Sequence, residues 1–188
     1  MGKNVLLIGR NPTVLAHLAL ALTEEGLFVQ TTSAVEEASL NFDGADFDLV
    51  AFGRGVDEAT NALLKAAFSD QNSNLLFVDG LAPVIPLLVK QIKVAFSDQQ
   101  TQKLVTEFVC IQTDCSQVRI TVKANCQLTI CLYELDATHT TQQKTLVDES
   151  VSGGSHTFSL PIQSGSDATI KFLSAEADNR DLMVLPLR

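Results

Sequence analysis

Apolar residues recur with two different periods along this chain, and the change from one to the other falls near residue 98. In the first half, short apolar runs alternate with segments at helical spacing. Val5-Leu6-Leu7-Ile8 stops at Gly9, the pattern of a parallel strand covered on both faces. Asn11-Pro12 then predicts a helix start, with Asn11 capping free N–H groups and Pro12 in the first turn, where a missing N–H costs nothing. Val14, Leu15, Leu18, Ala21 and Leu22 give that helix an apolar face, and Gly26 ends it.

The same alternation continues. Leu27 to Thr31 reads as a second strand, and Ser33 with Glu36 three residues on has the spacing of a capping box, so a helix is expected to about Phe42. Asp48 to Phe52 is the third strand and Val56 to Phe68 the third helix, with Ala59, Leu63, Leu64 and Ala67 inward. Asn74 to Val78 and Pro83 to about Phe96 complete the set. Strands and helices in strict alternation call for a three-layer α/β parallel sheet with right-handed crossovers.

Beyond a polar stretch at 98–103 the period becomes two. Val118, Ile120 and Val122 alternate with Arg119, Thr121 and Lys123, which predicts one dry and one wet face. Seven strand-like segments lie between Val105 and Leu187, separated by turn-prone stretches such as Ser152-Gly153-Gly154-Ser155. The expected organisation is an α/β unit over 1–97, a linker over 98–103 and a small antiparallel β-sandwich over 104–188.

In parallel sheets of this kind ligands sit at the carboxyl ends of the strands. That edge holds Gly9, Arg10 and Asn11 after the first strand, Gly53, Arg54, Gly55 and Asp57 after the third, and Asp79 after the fourth; these are the candidate ligand-binding residues. An acid ending the third strand would mark a phosphoacceptor or metal site, but Phe52, Gly53, Arg54 and Gly55 cannot serve. Asp57 stands where an acid commonly caps a helix, and that role is favoured over metal binding. Arg10 and Arg54 could hold an anion with the loop N–H groups. An ion pair from either arginine to Asp57 or Asp79 is the simpler expectation.

The helix ending in Glu-Glu-Gly-Leu-Phe-Val, the Ala34-Val35-Glu36-Glu37-Ala38 helix start and Phe47-Asp48-Leu49-Val50 together resemble the receiver domain of bacterial response regulators over residues 3–96. The resemblance implies a flavodoxin-like sheet, truncated to four βα units, and a role in signalling. It also implies which residues a working receiver would need, and this chain departs at each one. Gly9 and Arg10 stand where paired acids hold magnesium, Gly53 replaces the phosphorylated aspartate, and Asp79 replaces a Thr or Ser. A fifth strand with its Lys-Pro has no counterpart.

Charge narrows the partners. The 188 residues carry a formal charge of −9, and no run of Lys and Arg offers a surface for phosphate, so nucleic acid is not an expected partner. No apolar stretch approaches a membrane span, and the charge-free span before Arg10 is too short for a signal-peptide core, so a soluble cytoplasmic protein is expected. Cys110, Cys115, Cys126 and Cys131 are spaced Cys-x4-Cys twice. In a reducing cytosol they are expected as buried free thiols, with Cys126 and Cys131 on opposite faces of one strand. His17, His139 and His156 are too scattered for a cluster.

No metal and no cofactor is therefore expected. The leading expectation is a non-catalytic signalling or scaffold protein whose degenerate, non-phosphorylatable receiver-like unit binds a protein partner. The alternatives are a small-molecule or nucleotide binder, or an enzyme, using the sheet edge, and a ligand-binding β-sandwich. Sugar-stacking aromatics are scarce, since the chain has no Trp and a single Tyr. A sheet of four strands leaves an edge that needs cover, which predicts a modest tendency to dimerise.

Overall fold

The computed structural model describes residues 2–80, 84–96, 103–111, 115–135, 141–162 and 170–187, and it divides into two compact units, Met1–Phe96 and Ser97–Arg188. The first unit contains a four-stranded parallel sheet in the order β2-β1-β3-β4, built from β1 (Asn4–Ile8), β2 (Phe28–Thr32), β3 (Leu49–Phe52) and β4 (Leu76–Asp79). Period-two alternation divides the buried side chains between two faces. Leu6, Ile8, Val50 and Phe52 pack with Val35, Leu64 and Phe68 on one side. Val5, Leu7, Leu49 and Ala51 pack with Leu15, Leu18, Leu22, Leu88 and Ile92 on the other. Helices α2 (Ala38–Asn41) and α3 (Glu58–Gln71) thus cover one face, and α1 (Pro12–Glu24) and α4 (Ile85–Phe96) cover the other.

Local sequence sets the ends of α1. The Asn11 side chain accepts from the N–H groups of Thr13 and Val14 at 3.0 and 3.2 Å, with Pro12 in the first turn. At the other end Gly26 adopts φ +84°, while Leu27 N–H donates to Leu22 and Gly26 N–H to Thr23. This pair of bonds is the Schellman arrangement, which requires a left-handed residue where Gly26 stands.

The second helical region departs from expectation. No capping box forms at Ser33: a 3-10 turn at Val35–Glu37 starts without a side-chain cap and runs into the single turn of α2. Glu36 is instead drawn away by a cation from another loop. Leu63, expected inward on α3, is 72% exposed, because the helix turns Leu64 and Phe68 to the core and leaves Leu63 to one side.

Among the described residues the second unit has two antiparallel sheets. The larger has the order β11-β10-β7-β8, from β11 (Asp181–Leu187), β10 (Ile170–Ala177), β7 (Cys126–Leu135) and β8 (Thr141–Val151). The smaller has the order β5-β6-β9, from β5 (Val105–Cys110), β6 (Gln117–Val122) and β9 (Gly154–Ser159). Val118, Ile120 and Val122 share one core with Leu128, Ile130, Leu132, Leu173 and Ala175, and Arg119 points away from it. The larger sheet is also buried on its reverse face at Cys131, Tyr133, Phe172 and Ser174.

Two of the four cysteines are not free thiols. Cys110 and Cys115 form a disulfide with Cα atoms 4.9 Å apart. The hairpin supplies the geometry: β5 pairs with β6, so the ends of a short connection are brought within bridging reach. Cys126 and Cys131 are free and buried, Cys126 in the shared core and Cys131 on the reverse face. His139, the turn at 163–167 and the polar stretch at 98–102 lie outside the described residues.

Candidate functional site

The sheet order places β1 between β2 and β3, so the chain leaves β1 toward one side and β3 toward the other. The crevice at such a reversal is where parallel sheets bind ligands. Two glycines meet there. Gly53 N–H donates to Ile8 at 2.8 Å, and a side chain on Gly53 would begin 3.4 Å from the Gly9 Cα. The two loops therefore approach backbone to backbone, and the side chains that follow them, Arg10 and Arg54, stand at the rim.

Arg10 is engaged through Nε and Nη2. Its Nη2 lies 2.6 Å from Glu36 Oε1 and 3.6 Å from Asp57 Oδ2, and its Nε donates to the Gly55 carbonyl at 3.1 Å. The Glu36 hydrogen bond and charge, ahead of Asp57, push the Arg10 pKa up, and the same hydrogen bond is the main cause that holds Glu36 below the usual carboxylate range. Asp57 also caps α3: its side chain accepts from Thr60 N–H at 2.9 Å, the main cause of its own lowered pKa. The capping role and an ion pair with Arg10 thus coexist in one residue, because an acid at a helix start offers two oxygens.

Asp79 is engaged at a separate place on the same edge. Lys65 Nζ lies 2.7 Å from Oδ2 and Asn61 Nδ2 donates to Oδ1 at 2.8 Å. Partial burial works to raise its pKa, but Lys65 and Asn61 together bring it below the ordinary value. Lys65 also lies over the Phe52 ring at 5.7 Å. Asp79 therefore pairs with a lysine of α3 and with neither arginine.

The structure thus brings Gly9, Arg10, Gly53, Gly55 and Asp57 together, gives Asn11 a capping role, and ties Asp79 to α3. Arg54 is exposed and has no ion pair among the described residues. Sequence reasoning missed Glu36 and Lys65. Asn61 and Lys65 are four apart and share a helix face, but that spacing does not point to Asp79. The Glu36 contact had no readable signal, because it spans 26 residues. Among the described residues no group of three or more His, Cys, Asp or Glu is placed to hold a metal ion.

No protein-family model matches this chain, and no curated protein matches it. Among solved structures it is similar to the lactose-specific IIB component domain of the phosphoenolpyruvate:carbohydrate phosphotransferase system from Streptococcus pneumoniae. That likeness has 17% identity and a TM-score of 0.38, covering 50% of this chain and 91% of that one. A second match is the Pseudomonas fluorescens alkylpurine DNA glycosylase AlkC bound to DNA containing an abasic site analog. It has 9% identity and a TM-score of 0.25, covering 70% of this chain and 40% of that one. Likenesses this low carry no functional argument.

Proposed function

We propose that this chain is a non-catalytic signalling or scaffold protein, in which a receiver-like, flavodoxin-like unit and a β-sandwich bind other proteins. One observation carries the reading. The one cation at the switch point, Arg10, is paired with both Glu36 and Asp57, and the remaining acid of the edge, Asp79, is paired with Lys65. Phosphoryl transfer needs an acid free to accept the group and acids free to hold magnesium, and chemistry at this edge would first have to break ion pairs.

Incubation of the full chain with magnesium and a small phosphodonor, read by intact mass, tests the proposal. No covalent phosphate should appear. Stoichiometric phosphorylation would sink the reading.

Arg54 favours a second reading, an anionic small-molecule or nucleotide binder at the same edge. It stands between Gly53 and Gly55 with no ion pair among the described residues. Thermal unfolding of the full chain with nucleotides separates the two: a ligand at about a hundred times its Kd adds roughly 2.7 kcal/mol, which raises the midpoint visibly. An unchanged midpoint with every nucleotide removes the binder reading.

A further inference from the structure

Strand β8, Thr141–Val151, forms one border of the larger antiparallel sheet. It pairs with β7 from Thr141 opposite Leu135 to Val151 opposite Cys126, and no other strand pairs with it among the described residues. Most of its side chains are exposed. An unpaired edge of this length is a template for another strand, and proteins commonly blunt such edges with charges that repel a second copy.

A bulge decides which strand would fit. The register with β7 shifts between Ile130 and Cys131, which leaves Leu146 as an extra residue, and Leu146 and Val147 both face the shared core. Lys144 and Glu149, opposite Leu132 and Leu128, point to that same side; Thr145 and Asp148, opposite Cys131 and Thr129, point to the reverse side. When β8 is laid antiparallel on a second β8 about a two-fold axis between Leu146 and Val147, the two bulges oppose each other. Lys144 then faces the partner subunit's Glu149, Thr145 faces the partner subunit's Asp148, and each pair lies on one side of the sheet. A register centred on Leu146 itself would face Lys144 with Asp148, which lie on opposite sides. Lys144 and Glu149 are exposed and have no ion pair among the described residues.

We propose that β8 is a self-association edge: two copies of this chain pair β8 antiparallel about that axis, joining their four-stranded sheets into one. The partner is a second copy because Lys144 and Glu149 meet each other's counterpart across that axis, twice per dimer, while the third edge charge, Asp148, faces the uncharged Thr145. The inference stands on the second unit alone and does not depend on the role proposed for the first.

Sedimentation velocity on the full chain across the micromolar range tests it, with Lys144→Glu, Glu149→Lys and the two combined. The parent chain should dimerise. Each single change replaces two attractive cross-strand pairs by two repulsive ones and should weaken the dimer by on the order of tenfold. The combined exchange restores opposite charges and should recover the parent dimer. A parent chain that stays monomeric at high micromolar concentration overturns the proposal. So does a dimer that either single change leaves intact, or one that the combined exchange fails to recover.

Discussion

Glu36 Oε1 accepts a 2.6 Å hydrogen bond from Arg10 Nη2 and so ties the loop after β2 to the loop after β1 at the carboxyl end of the parallel sheet. The acid that the sequence offered as half of a capping box is used as a counter-ion, and the arginine offered as an anion ligand is thereby occupied.

That pair gives stability a sign with pH. Glu36 is held below its ordinary 4.5, first by the Arg10 hydrogen bond, so the folded state binds fewer protons there than the unfolded chain. The contribution is whole above the unfolded value and is lost as pH falls through the folded one. In denaturant titrations, the stability gap between the parent and Arg10→Met should narrow from about pH 7 to about pH 3. A gap that stays constant over that range would show that the ion pair contributes nothing.

The disulfide makes a counting prediction. With a thiol reagent the native protein should react little, since Cys126 and Cys131 are buried. Denatured without reductant it should expose those two thiols, and denatured with reductant all four. Cys110→Ser should cost roughly 2 kcal/mol, the value for so short a closed loop. Four thiols without reductant would show that the bond does not form.

Gly26 tests the end of α1. At φ +84° a Cβ is disfavoured by backbone sterics, although nothing lies within 4 Å of where it would stand. Gly26→Ala should therefore cost about 1 kcal/mol through conformation alone, measured by chemical denaturation.

Gly80 tests close approach instead. A Cβ there would meet Leu88 Cδ2 and the Phe52 carbonyl oxygen, each at 3.1 Å. The leucine tip can swing away, but the Phe52 carbonyl is fixed by accepting the Gly80 N–H at 2.8 Å. Gly80→Ala should cost about 1–3 kcal/mol by overpacking. If stability were unchanged, the Phe52 carbonyl would have to be able to give way to the added methyl group.

The sequence by itself determined what local chemistry governs: the change of period between the two halves, the cap at Asn11, the stop at Gly26, and the seven strands among the described residues of the second half. These follow from rules that act within a turn or along a strand, so they survive without knowledge of the fold. It also placed Cys126 and Cys131 on opposite faces, because an odd spacing in a regular strand requires it. Tertiary structure alone decided the rest. Arg10 met Glu36 only because β1 and β2 are neighbours, and Asp79 met Lys65 only because α3 crosses beside β4. Cys110 and Cys115 come within bridging reach because β5 and β6 pair. The bulge at Leu146 depends on the register with β7, and no pattern within β8 announces it. Each of these is a contact between segments whose separation in space is set by the whole sheet, and side-chain periodicity carries no information about that distance.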